Sequence, residues 1–255
     1  MTLVALVRPP APSLPQGERS YIGREPIDFT LAQIQYRRYV QAVHDAGAEI
    51  VEVPAAPDLP DSVFIEDTAL VLDPLAVIAR SGAESRRAEA PAVAAVLERY
   101  RQVEYTPAPA TFDAGDILTI GKTVYVGRSA RTNAAAIEFL TRLLRRHDHE
   151  VVPVSFRGCL HLKSAVNYLG NDAIVLNPDW IAREVFAEFA QVEVDPGEPM
   201  GASALTVGGQ LLLSSSYPRT VKRIEARGFK PRVLDLSEFH LAEGGLTCLS
   251  IIFSA

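Results

Sequence analysis

Ile117 to Gly127 reads ILTIGKTVYVG: an apolar strand, a tight turn at Gly121-Lys122 and a second apolar strand. A helical pattern follows from about Ala134 to Arg146, and then the short strand EVVPV. This hairpin, helix and strand recur along the chain. TALVLDPLAVIAR (Thr68 to Arg80) turns at Pro74 and is followed by a helix near Ala90 to Arg99 and the strand VEY. AVNYLGNDAIVLN (Ala165 to Asn177) turns at Gly170-Asn171-Asp172, residues that tolerate positive φ, and its helix is expected to start at Pro178. ALTVGGQLLLSS (Ala204 to Ser215) turns at Gly208-Gly209, with a helix from Pro218 closed by Gly228 and then PRVLDL. A fifth copy is divided between the ends. GLTCLSIIFS near the C-terminus and TLVALVR near the N-terminus supply its strands, and Thr30 to Ala46 its helix, with Thr30 and Gln33 as a capping box and Gly47 beyond the last turn. EIVEVP completes it.

Successive units are spaced by about 40 to 50 residues, the range of repeat architectures in which neighbours bury one another's faces. A last member assembled from both ends implies a closed ring. A doubly wound α/β sandwich also alternates strands and helices. The hairpin inside every unit argues against it, because a purely parallel sheet has no use for hairpin turns. The expected architecture is therefore α/β, a five-bladed pseudo-symmetric propeller of ββαβ repeats. No Pro/Gly/Ser-rich linker divides the chain, so residues 1–255 are expected to form one domain.

Composition narrows the function. The 255 residues are 48% hydrophobic and 22% charged, ample for a large buried core. The net charge of −6 is dispersed, with no basic cluster beyond Arg145-Arg146, which argues against nucleic acid and anionic membranes as partners. MTLVALVRPP is too short an apolar run for a signal sequence, and no stretch approaches the roughly 18 apolar residues of a membrane span, so a cytoplasmic location is expected. Two cysteines, Cys159 and Cys248, cannot make a disulfide framework or a four-cysteine zinc site. Cys159 and His161 form a C-x-H pair that lacks a third ligand at suitable spacing.

The residues able to do chemistry gather at the starts of the units. Asp61, Glu66 and Asp67 precede the first, Asp113 and Asp116 the second, and His161, Lys163 and Ser164 the third; Cys248 lies just inside the last. In a ring these positions converge at one end of the axis. A thiolate can attack a carbon bonded to three heteroatoms if the adduct loses a protonated amine, and a histidine can supply and later remove that proton. Carboxylates suit a planar guanidinium, whose N–H groups they accept in paired bonds. Taken singly, each residue has a structural reading: Cys248 as a core thiol, His161 as a satisfied core histidine, Asp113 to Asp116 as a capped turn. Their common place in the repeat favours one acidic cleft for a cationic substrate.

The segments LPDSVFIED (Leu59 to Asp67), GAESRR (Gly82 to Arg87), TFDAGDI (Thr111 to Ile117), SARTN (Ser129 to Asn133), LHLKS (Leu160 to Ser164) and GGLTCLS (Gly244 to Ser250) resemble, in order and spacing, the motif series of the dimethylarginine dimethylaminohydrolases. The resemblance runs through nearly the whole chain and implies the five-bladed propeller of the guanidine-modifying superfamily. It implies Cys248 as nucleophile, His161 as general acid and base, and Asp113 as the carboxylate that orients the imidazole. Asp61, Glu66 and Asp67 would contact substrate, Arg86 and Arg131 would bind its carboxylate, and the carbonyl of Ala242 its α-amino group. Ser13 to Gly23 would form a lid in which Glu18 or Arg19 stands where some relatives place a leucine, and Ala114 replaces a glycine found in several.

The implied reaction is hydrolysis of Nω-methylated L-arginine to L-citrulline and methylamine or dimethylamine, through a thiouronium intermediate on Cys248. It requires no cofactor and no metal; an inhibitory zinc on Cys248 is left open, as is a monomer or homodimer. Two other readings stand beside it. An arginine deiminase or amidinotransferase of the same superfamily would be expected to be longer, and a side-by-side assay with arginine, monomethylarginine and dimethylarginine would separate it. A non-catalytic binding protein for cationic amino acids would show no selective adduct at Cys248 with a haloacetamidine.

Overall fold

The computed structural model describes residues 2–255. Fifteen strands form five three-stranded sheets. In chain order these are β1 (Leu3–Val7) and β2 (Glu49–Glu52), β3 (Ala69–Val71), β4 (Leu75–Ile78) and β5 (Gln102–Tyr105), then β6 (Ile117–Ile120), β7 (Thr123–Arg128) and β8 (Glu150–Ser155). They continue as β9 (Val166–Gly170), β10 (Ala173–Leu176) and β11 (Ala190–Glu193), β12 (Ala204–Val207), β13 (Gln210–Ser214) and β14 (Arg232–Leu234), and end at β15 (Ser250–Ser254). Each sheet pairs an antiparallel hairpin with a third strand added parallel to its middle strand. The divided sheet has the same arrangement. β1 runs antiparallel to β15, with Leu3 opposite Ser254, and parallel to β2.

Turn chemistry sets the hairpins. Gly121, Gly170, Gly208 and Gly209 all have positive φ, as do Asn171 and Asp172, so each tight turn falls where small or amide-bearing residues tolerate it. The helices α1 (Phe29–Asp45), α2 (Ala90–Leu97), α3 (Ala134–Leu144) and, after a four-residue turn α4 (Leu162–Ala165), α5 (Pro218–Glu225) lie between sheets; a short α6 (Ser237–His240) precedes the last unit. The cap of α1 differs from the sequence reading. Asp28, rather than Thr30, accepts from the Leu31 N–H, because a carboxylate two residues earlier already reaches the first free amides.

The helix expected at Pro178 does not form. Ile181 instead makes a bridge with Phe156, leaving only a 3-10 turn, Arg183–Phe186, before β11. Trp180, Ile181, Phe186 and Phe189 fill the wedge between sheets that a helix fills elsewhere, with Phe186 4.7 Å from Tyr125. Bulky side chains on an irregular segment can thus cover the sheets without a helix face.

Five apolar cores each join two adjacent sheets. One spans β6–β7 and the β9–β10 hairpin, while another unites β1, α1, β12 and β13, so the first and last sheets pack together and the ring is closed. The inner strands β3, β6, β9, β12 and β15 surround an axial cavity. Four of the five are entered through a tight helical turn: Ile65–Thr68, Ala114–Asp116, α4 and Thr247–Leu249. These turns carry Glu66, Asp67, Asp116, Lys163, Ser164 and Cys248, and Asp113 and His161 are the residues immediately before theirs. No helix among the described residues is long and apolar enough to cross a membrane.

Candidate active site

The entry turns open on a cleft lined by Glu66, Gly115, His161, Lys163, Thr247 and Cys248, with Ser203, Tyr217, His240, Glu243, Gly244 and Gly245 on the side of the last two units. Its space, about 90 Å³, is several times the roughly 10–15 Å³ that one water needs. Cys248 sits in the turn Thr247–Leu249, where its Sγ accepts from the Gly245 N–H at 3.3 Å. Burial, with Glu66 and Asp67 nearby, pushes its thiol up to about 12, so the resting sulfur is protonated. Cys159 is different: it is 1% exposed, packs in an apolar core and lies behind His161, 3.4 Å from that residue's carbonyl oxygen.

His161 is held between two carboxylates. Its Nε2 lies 3.4 Å from Asp113 Oδ2 and its Nδ1 3.6 Å from Asp67 Oδ1, contacts that are electrostatic more than well-aimed hydrogen bonds. Burial alone would strip its proton. Asp67, Asp113 and Asp116 outweigh that and raise the imidazole to about 9. Asp113, though buried, is held well below the usual carboxylate range by His161 and Arg86 and by the Ser81 hydroxyl, 2.6 Å from Oδ1.

Of two neighbours of His161, Gly115 escaped the sequence reading, and Asp116 was placed at the cleft without a role. Asp116 accepts from the Leu162 N–H, the Ser129 hydroxyl and the Thr132 hydroxyl, and so fixes the backbone that carries the histidine. Gly115 donates to Asp67 Oδ1 at 3.0 Å and lies directly against the ring, where a Cβ would come within 2.5 Å of His161 Nδ1. Both stand inside the quoted TFDAGDI motif, but their roles arise from contacts distant in sequence.

Glu66 and Lys163 form the cleft floor, paired at 2.5 Å, and both also line the axial cavity beyond. Asp61, Asp67, Arg86, Arg131, Asp113 and Ala242 are buried and are not among the residues lining this cleft. Arg86 donates through Nε and Nη2 to Glu89, through Nη1 to Asp67 at 2.6 Å, and through Nη2 to the carbonyls of Asp61 and Phe64, which leaves one Nη1 proton uncommitted. Arg131 donates only through Nη1, to Asp113 at 3.1 Å. Ala242 is buried beside the lining residue Glu243, which has φ +63°.

The lid contact is corrected. Glu18 binds the Ser85 hydroxyl and Arg19 the carbonyls of Pro15 and Glu25, so neither reaches the cleft; Ile22 does. Asp61 accepts from the Glu18 N–H, while Glu243 accepts from the Ser20 and Tyr21 N–H groups, fastening the lid on both sides.

Ligand atoms of Asp67, Asp113 and His161 lie within 4.8 Å of one another, a spacing that would admit a cation. The guanidinium groups of Arg86 and Arg131 already neutralise both acids, so this trio is suited to holding a proton on imidazole rather than a metal.

A family model described as Arginine deiminase matches residues 36–208, more than half of the chain. The N(G),N(G)-dimethylarginine dimethylaminohydrolase of Streptomyces coelicolor is 40% identical over 97% of this chain and 95% of that one. This protein belongs to the dimethylarginine dimethylaminohydrolase family. Structural likeness agrees. The Pseudomonas aeruginosa dimethylarginine dimethylaminohydrolase, a cysteine-to-serine variant in complex with citrulline, superposes with a TM-score of 0.94 at 31% identity, covering 99% of this chain and 100% of that one. A histidine-to-glycine dimethylarginine dimethylaminohydrolase bearing an adduct with S-methyl-L-thiocitrulline gives a TM-score of 0.93 at 32% identity, with the same coverage.

Proposed function

We propose that this enzyme hydrolyses Nω-methylated L-arginine to L-citrulline and methylamine or dimethylamine through a covalent intermediate on Cys248. The observation that carries the reading is the shared cleft of Cys248 and His161 over the Glu66–Lys163 floor, in a dimethylarginine dimethylaminohydrolase chain. Solved relatives that hold citrulline and a thiocitrulline adduct support it.

The resting pair is a neutral thiol beside an imidazolium, so His161 cannot take the thiol proton. The substrate supplies the missing charge. A guanidinium about 4 Å from sulfur is worth about 4 kcal/mol at an effective dielectric of about 20, enough to lower the thiol by about 3 units. The proton leaves to solvent as the cation enters. The thiolate then attacks the guanidinium carbon, and the imidazolium of His161 protonates the departing amine as the C–N bond breaks. Water attacks the resulting thiouronium carbon, giving one proton to neutral His161, and as collapse of the adduct breaks the C–S bond the remaining hydroxyl proton passes to the departing sulfur, which releases citrulline and restores the resting thiol.

Asp113 and Asp67 stabilise the imidazolium, Glu66 and Asp67 attract the guanidinium, and Asp61 with the Ala242 carbonyl takes the α-amino group. Arg131 carries most of the carboxylate binding, since Arg86 is largely committed to Glu89 and Asp67 and acts chiefly by holding Asp67 in place. The reaction is placed in the cytoplasm, in a monomer or homodimer.

Cys248→Ser tests the reading: citrulline release is expected to fall by a factor on the order of 10³ or more while the melting temperature is unchanged. Near-native release would refute it. Parallel assays with arginine, monomethylarginine and dimethylarginine distinguish hydrolysis of methylated substrate from arginine deimination.

A further inference from the structure

The cleft holds a second histidine, His240, for which the reaction above has no use. His240 ends α6, and both ring nitrogens are engaged: Nε2 lies 2.8 Å from Ser214 Oγ and Nδ1 3.0 Å from the Gly244 carbonyl oxygen. A carbonyl can only accept, so Nδ1 carries the proton. Burial holds the imidazole below its usual pKa, so the ring is neutral; with the proton on Nδ1, Nε2 accepts from the Ser214 hydroxyl, whose oxygen also accepts from the Ser216 N–H at 3.2 Å. Tyr217 covers its face, with centroids 5.2 Å apart.

The carbonyl that His240 grips and the N–H that meets Cys248 belong to one peptide group, the planar unit joining Gly244 to Gly245. Hydrogen bonds at opposite ends of a peptide orient its plane and polarise each other. Both glycines bring that plane against its surroundings. A Cβ on Gly244 would lie 2.2 Å from the Phe64 ring, and one on Gly245 2.6 Å from Ser203 Oγ. The next amide, Leu246 N–H, is tied to Ser203 Oγ at 3.1 Å. The loop is thereby held tightly, and His240 supplies the side-chain hydrogen bond on the Gly244 carbonyl.

We propose that His240 is a positioning residue for the nucleophile: by holding the Gly244 carbonyl it aims the Gly245 N–H at Cys248 Sγ, where it steadies the thiolate during attack and again when the sulfur departs. The inference rests on Cys248 as the nucleophile. Glu66, Asp67 and Lys163 also bear on that sulfur and are untouched by changes at His240.

The experiment compares the full-length enzyme with His240→Leu, which loses both hydrogen bonds, and His240→Asn, whose amide nitrogen can replace Nδ1. Three readouts are kcat, KM and the rate of Cys248 alkylation by iodoacetamide at fixed pH. His240→Leu is expected to lower kcat and alkylation together by roughly three- to tenfold, the value of one hydrogen bond, with KM within about twofold. His240→Asn is expected to recover most of both. A merely structural histidine would lower stability without moving the alkylation rate of the folded fraction. The proposal is overturned if alkylation is unchanged in His240→Leu, or if His240→Asn is as impaired as His240→Leu. Should His240→Leu fail to fold, Ser214→Ala frees the tautomer while leaving the ring, and unchanged alkylation there overturns the proposal equally. Failure of the nucleophile assignment looks different, since Cys248→Ser would then retain turnover.

Discussion

Adding one methyl group at Gly115 should disable the enzyme while leaving it folded. An ideal Cβ there lies 2.5 Å from His161 Nδ1, 2.6 Å from Asp67 Oδ1 and 2.8 Å from His161 Cγ. Carbon needs about 3.5 Å to reach comfortable contact, so the imidazole or the carboxylate must retreat by roughly 1 Å. Asp67 has little room to yield, because Arg86 holds Oδ2 at 2.6 Å and the Gly115 amide itself holds Oδ1. The ring must therefore move away from its acids. Overpacking of this kind costs about 1–3 kcal/mol of stability, and a misplacement of about 1 Å at the reacting group costs on the order of 100-fold in rate. Gly115→Ala is expected to show both, read as kcat for citrulline release at saturating dimethylarginine and as a urea unfolding midpoint. Gly23→Ala serves as the control, since a Cβ there meets nothing within 4 Å. Retention of kcat within about threefold by Gly115→Ala would refute the reasoning.

Three further outcomes are expected. Lys163→Met strands the Glu66 carboxylate on the cleft floor and should lower unfolding free energy by about 3 kcal/mol, with much of it recovered when Glu66→Gln is added; additive losses in denaturant titrations would contradict this. His161 is raised from 6.5 to about 9 in the folded protein, so its stabilising contribution is complete below about pH 6.5 and disappears as pH climbs through 9. Stability measured by chemical denaturation should decline by about 2–3 kcal/mol across that window, and less in Asp67→Asn; equal declines in both proteins would show that another group is responsible. Glu243→Ala releases the Ser20 and Tyr21 amides and should raise KM by roughly three- to tenfold with little change in kcat, while limited proteolysis between residues 17 and 25 accelerates. Unaltered KM and cleavage would mean that the other side of the lid, Asp61 with Glu18, suffices.

The ring was legible because its decisive signals are local. Gly121, Gly170-Asn171-Asp172 and Gly208-Gly209 each require a left-handed conformation within a few residues, and strands flank them whatever the rest of the chain does. Pro178 misled for the same reason. Proline permits a first helical turn but cannot reveal that Ile181 will pair with Phe156. Among site residues, those that titrate or attack announced themselves by type. Gly115 and His240 did not, and the role of Asp116 did not, since a missing side chain, a histidine that turns a peptide plane and a carboxylate that braces another unit's backbone acquire meaning only from the contacts the fold makes. The partners of Arg86 were equally out of sight: a guanidinium suited to a substrate carboxylate is suited to Glu89 and Asp67 as well, and only the fold brings those two acids to it. In the lid, SLPQGERSYIG has no period to say which side chain faces inward, and Ile22 emerged only in three dimensions.

The seam between β1 and β15 also fixes the timing of the chemistry. While the chain is being made, the acids and the imidazole can settle as soon as the second, third and fourth sheets exist, but Cys248 stands one residue from the turn's exit into β15 and has no fixed place until that strand zips onto β1, made long before it. Such a long-range pairing forms late. The acids and the imidazole thus stand ready before the sulfur arrives, and the site is complete only in the event that shuts the circle.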